Sequence, residues 1–85
     1  MNKNLNNLNW INVISSDVKR IAFKNNCIYV EFHKYNRIGH YLNCTKEEYN
    51  TFLNADSKGT FVYYYLRANK KYIRDNYHLK KQKLW

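Results

Sequence analysis

Cys27, His33, His40 and Cys44 are the residues of this chain best suited by type to hold a metal ion. Their order is C-x5-H-x6-H-x3-C, without the paired C-x2-C or H-x3-H spacing that offers two ligands to one ion. Strand parity separates them as well: Cys27 and His33 share one parity, while His40 has that of Ile38 and Leu42. No metal or other cofactor is expected. Arg74-Asp75-Asn76-Tyr77-His78 holds an Arg and a His able to act on RNA phosphate, but on a helix these are ordinary basic surface. Glu47 and Glu48 are adjacent and point to different sides of a helix. No Ser or His stands at the spacing of a nucleophile, its base and an orienting group. Enzymatic chemistry is therefore not expected.

Binding chemistry fares better. Placed on a helix over residues 60–74, Phe61, Val62, Tyr65, Leu66, Asn69, Tyr72 and Ile73 fall within one arc. Tyr63, Arg67, Lys70, Lys71 and Arg74 fall on the opposite arc. Guanidinium and ammonium groups neutralise phosphates, and a tyrosine ring is a stacking platform for an unpaired base. Ser57-Lys58-Gly59 offers a second place for phosphate, since backbone amides open at a helix start. It lacks a fuller glycine-rich loop, so a structural cap is the favoured role.

The elements that must position these residues follow from periodicity. Ile21 and Phe23 alternate with polar neighbours, as do Ile28, Val30 and Phe32 in the run from Cys27. Asn25-Asn26 between the two runs is a hairpin turn. His33 to Asn36 reads as the next turn and Arg37 to Leu42 as a third strand. Gly39 inside that strand signals a bulge or a close backbone approach. After Cys44 the period changes to that of a helix. Thr45 and Glu48 form a capping box, and Tyr49, Phe52 and Leu53 make an apolar stripe over residues 46–54. Residues 55–59 break this helix.

The 85 residues set a prior of one domain with one thin core. Fifteen Lys and Arg against six Asp and Glu give a net charge of +9. Residues 57–85 hold eight of the cations and one acid, so the positive charge is concentrated in the C-terminal third. No apolar run approaches a membrane span, and residues 1–10 lack the apolar core of a secretory leader. A cytoplasmic chain with both cysteines as thiols is expected. Residues 1–12 read as an N-terminal extension, 13–77 as the domain, and 78–85 as a basic tail.

From Val13 to Tyr72 the chain resembles the KTSC domain, named for its occurrence at the C-terminus of some lysyl-tRNA synthetases and also found free-standing in bacteria and phages. The resemblance is carried by Val13, Ser15-Ser16, Val18, Ile21, Phe23 and Ile28-x-Val30-x-Phe32. It continues through Tyr41, Tyr49, Ala55-x-Ser57-Lys58-Gly59 and Leu66-Arg67. Gly39 stands where the family usually has the first Tyr of a Tyr-x-Tyr pair, Cys44-Thr45 replaces a Val-Pro, and Tyr63 replaces an Asn. The resemblance implies an α+β fold of a strand meander with short helices, with RNA binding as the suggested activity. It adds Tyr41 to the candidate contact residues.

The expectation is an α+β domain, β-β-β-α-α, whose three-stranded antiparallel meander turns Ile28, Val30 and Phe32 toward two helices. Its expected function is non-catalytic nucleic-acid binding, RNA first, through Lys58, Tyr63, Arg67, Lys70, Lys71, Arg74 and Tyr41. Nine Tyr and two Trp also suit a protein interface. The alternative is thus a phage or mobile-element protein that binds and inhibits a host complex, such as a CRISPR-type defence nuclease or another ribonucleoprotein.

Overall fold

The structure, a computed structural model, describes residues 8–75. Strands β1 (Ile11–Asn12), β2 (Val18–Lys24), β3 (Cys27–Phe32), β4 (Ile38–Tyr41) and β5 (Tyr72–Asp75) pair in that order as an antiparallel meander. Between β4 and β5 the chain forms α1 (Lys46–Asn54) and α2, residues 58–69. The class is α+β, as expected, with an additional strand at each edge of the predicted three.

Local chemistry accounts for the central hairpin. Asn25 and Asn26 both take positive φ, 53° and 60°, and so match the twist of the strands they join. Phe23 then faces Ile28 and Ile21 faces Val30 in register. Ile21, Ile28, Val30 and Phe32 form the core with Tyr49 and Phe52 of α1 and Val62 and Leu66 of α2. Phe52 and Phe61 stack at 4.7 Å between the two helices. The opposite face of the sheet buries Ala22, Ile38 and the Glu31 carboxylate, which is ion-paired to Arg20. Trp10 lies 4.4 Å over the Arg20 guanidinium. The segment expected to be an extension therefore contributes an edge strand and a ring to the fold, because Ile11 and Asn12 find paired partners in Ile21 and Arg20. Residues 1–7 and the tail at 78–85 lie outside the described residues.

Helix α1 begins as its residues dictate. Glu48 N–H donates to Thr45 Oγ1 at 3.0 Å, and Thr45 N–H donates to Glu48 Oε1 at 2.8 Å. The second helix is opened by Ser57, whose hydroxyl accepts from Thr60 N–H at 3.2 Å. A π-helical stretch, Val62–Leu66, lies inside α2, and Arg67 N–H donates to Val62 O, five residues back.

The long C-terminal helix expected over residues 60–74 is not what forms. It stops at Asn69, Lys70 is extended, and residues 72–75 become β5. The open edge of β4 supplies the reason: backbone groups there would otherwise lack partners, and β5 satisfies them. Tyr72 pairs opposite Tyr41 and their rings meet at 4.9 Å. Gly39 makes the fit possible. A Cβ at that position would lie 2.9 Å from the Tyr72 ring and 3.1 Å from the Tyr41 ring.

Candidate functional site

Ending α2 at Asn69 disperses the predicted basic arc. Lys70 is not a surface cation: its Nζ lies 2.9 Å from Glu48 Oε2 and donates to Asn43 O at 2.8 Å. Glu48 also accepts from the Tyr65 hydroxyl. The hydrogen bonds from Tyr65, Lys70 and Thr45 N–H together hold the Glu48 carboxyl down at about 2. Lys58 donates to Ala55 O at 2.5 Å, within its own turn. Lys71 is exposed, and its carbonyl accepts from Leu42 N–H at 2.9 Å. Arg74 belongs to β5, opposite Gly39. At the Ser57-Lys58-Gly59 turn the space is already taken, since a Cβ on Gly59 would lie 2.7 Å from Asp17 Oδ2.

Three of the predicted residues do come together. Tyr41, Tyr63 and Arg67 line a cleft of about 390 Å³ with Phe32, Arg37, Val62 and Tyr72. Tyr41 enters from β4, Tyr72 from β5, and Tyr63 and Arg67 from successive turns of α2. Phe32, Arg37 and Tyr63 also border a second cleft of about 360 Å³ that runs on to Ser16, Asp17, His33 and Lys34. The two spaces therefore adjoin along a shared wall.

The electrostatics of the first cleft are one-sided. The Arg37 guanidinium sits 4.7 Å over the Phe32 ring, and that of Arg67 sits 5.1 Å over Tyr63. Aromatic faces attract cations through their quadrupole and hold them in place without neutralising them. No acidic side chain lines this cleft among the described residues. Arg37 Nε is buried and has no hydrogen-bond partner among the described residues. Burial raises the Tyr41 phenol well above its ordinary range, and the neighbouring Tyr72 adds to the effect. Arg67 and Arg37 oppose it without reversing it. Tyr41 is thus a proton donor at neutral pH. Fixed donors, two delocalised cations and ring surface are the chemistry that suits an anion attached to something flat.

Arg37, Phe32 and Tyr72 are the residues that sequence reading missed. Arg37 lies outside the basic C-terminal third, so charge counting passes over it. Tyr72 fits the apolar arc of a helix, so periodicity hides its place in a strand. The one available signal was Gly39, whose predicted close backbone approach is the place where Tyr72 crosses. Among the described residues no group of three or more His, Cys, Asp or Glu side chains could hold a metal ion. Cys27 and Cys44 are free thiols, and His40 stacks on Tyr29 at 4.4 Å.

No protein-family model matches the chain, and no curated protein matches it. A solved structure does. The crystal structure of a KTSC domain protein from Yersinia pestis is similar with a TM-score of 0.73 at 20% sequence identity, over 80% of this chain and 97% of that one. A likeness of that extent at so low an identity is a likeness of architecture, and it agrees with the meander and helices described above. By fold, this protein is a KTSC-like domain.

Proposed function

We propose that the protein is a small, non-catalytic, cytoplasmic RNA-binding module, and that the Arg37–Arg67 cleft is its contact site in place of a continuous basic helix face. The observation that carries this reading is the pair of guanidiniums laid over Phe32 and Tyr63 around a cleft that no carboxylate lines among the described residues. Phosphates supply the missing negative charge, and Tyr63, 52% exposed, supplies ring surface for an unpaired base. Binding of single-stranded RNA across a salt series tests it. Two phosphate contacts predict a slope of log K against log salt of about −1.4. Tyr63→Ala is expected to lose about 1–3 kcal/mol of binding if a base stacks there. Binding that ignores both salt and Tyr63 would remove the proposal.

A protein partner, such as a host defence complex bound by a phage-borne inhibitor, is the second reading. A specific feature favours it. Tyr35 is 71% exposed and holds a φ of 64°, an uncommon conformation for a bulky residue, and Tyr64 is 78% exposed. Tyrosines displayed in this way are frequent anchors of protein interfaces. Affinity that resists salt and survives nuclease, yet falls with Tyr35→Ala and Tyr64→Ala, would favour this reading over RNA.

A further inference from the structure

The cleft carries more information than a preference for RNA. Arg37 and Arg67 bring two positive charges to one space, and no acid lines it among the described residues. An internal phosphodiester carries one negative charge and matches half of that. A phosphomonoester carries about 1.5–2 negative charges near neutral pH and matches all of it. The buried Arg37 Nε has no hydrogen-bond partner among the described residues, so it is a donor left for an acceptor in the cleft. Tyr41 lines the same cleft and, as a phenol, donates to the same kind of oxygen. The space of about 390 Å³ suits one nucleotide of a strand and is too small for a duplex. Tyr63 and Tyr72 stand at its border with ring surface exposed.

We propose that this cleft receives a terminal phosphomonoester of single-stranded RNA, with the phosphate between Arg37 and Arg67 and the terminal base against the tyrosine rings. The inference rests on the RNA-binding reading and adds to it a preference for a phosphorylated end. The chemistry is shared by a 5′- and a 3′-phosphate, and the measurement separates them.

The test uses the full chain and one single-stranded RNA of about eight nucleotides in three forms, with a 5′-phosphate, a 3′-phosphate or hydroxyls at both ends. One phosphorylated form is expected to bind at least about 10-fold more tightly than the hydroxyl form. Lowering the pH from about 7.5 to about 5.5 is expected to shrink that preference, because the monoester dianion takes up one proton near pH 6 and falls to a single charge. Arg67→Gln, a change on the exposed side of α2, should abolish the preference while leaving the melting temperature unchanged. Arg37→Lys keeps the charge but loses the Nε donor, and should reduce the preference without removing binding of the hydroxyl form. Equal affinity for all three RNAs overturns end recognition and leaves general RNA binding standing. Absence of salt-sensitive binding to any of them overturns both. A phosphoserine peptide that binds as tightly as the phosphorylated RNA would also overturn the proposal, by making a phosphoprotein the ligand.

Discussion

Two cations three residues apart, Arg67 in the last turn of α2 and Lys70 just past its end, meet opposite fates. Lys70 ends inside a network with Glu48, Tyr65 and the Asn43 carbonyl. Arg67, three residues earlier, lies over Tyr63 at the border of a cleft that no acid lines among the described residues. The first arrangement joins α1, α2 and the loop before α1, and its charge is cancelled where it sits. The second leaves its charge available. Residue type does not distinguish them, since both are cations from the same basic run. The position of one carboxylate does, and Glu48 is fixed there by its own capping box.

Mutations of the Glu48 network and of the cleft should therefore separate stability from binding. The largest stability effect is expected at Glu48. Glu48→Ala removes the acceptor of the Tyr65 hydroxyl, of Lys70 and of the Thr45 amide, and should cost about 2–3 kcal/mol in a urea melt. On the proposed RNA-binding function, affinity of the remaining folded protein for RNA should be unchanged. Arg67→Glu reverses that pattern: affinity should fall at least about 10-fold, or about 1.4 kcal/mol, with the urea midpoint preserved. Should Arg67→Glu unfold the domain and Glu48→Ala leave it intact, the two roles would be exchanged. Lys70→Ala sharpens the contrast, because the sequence alone places Lys70 with Arg67. It should cost about 1 kcal/mol of stability and leave the salt slope of RNA binding as it was.

The smallest effect is the most diagnostic of the network. The folded Glu48 carboxyl is held at about 2, below its ordinary value of 4.5. A depressed carboxyl contributes stability that is complete above the ordinary value and is lost as pH falls through the folded one. The wild-type protein should thus lose stability between about pH 4.5 and about pH 2, and Glu48→Gln should lose less of it over that window. Parallel acid titrations of the two proteins, followed by tryptophan fluorescence, read the difference directly. Lys70 shifts upward for the same reason, the proximity of Glu48, so its contribution persists until strongly alkaline pH.

Much of the fold was legible without coordinates wherever the deciding interaction is local. The Asn25-Asn26 turn, the alternation of Ile28, Val30 and Phe32, and the box between Thr45 and Glu48 depend on residues within a few positions of one another. Backbone sterics and periodicity are enough for these. Tyr41, Tyr63 and Arg67 were also legible as candidates, from resemblance and from residue type. Their companions were not. Arg37 looked like the first residue of a strand, and only its position over Phe32 brings it to the same cleft as Arg67.

The end of α2 shows the division most clearly. Residues 70–74 fit a helical arc, and with Tyr72 and Ile73 adjacent their own order does not show the alternation of a strand. The unpaired edge of β4 and the missing side chain at Gly39 decide for a strand, and with it for a Tyr72–Tyr41 contact beside the cleft. Composition determined that the protein is basic, tyrosine-rich and small; local pattern determined its hairpin and its first helix. Which cations remain free was decided only in three dimensions, because neutralisation depends on distance through space and not on separation along the chain.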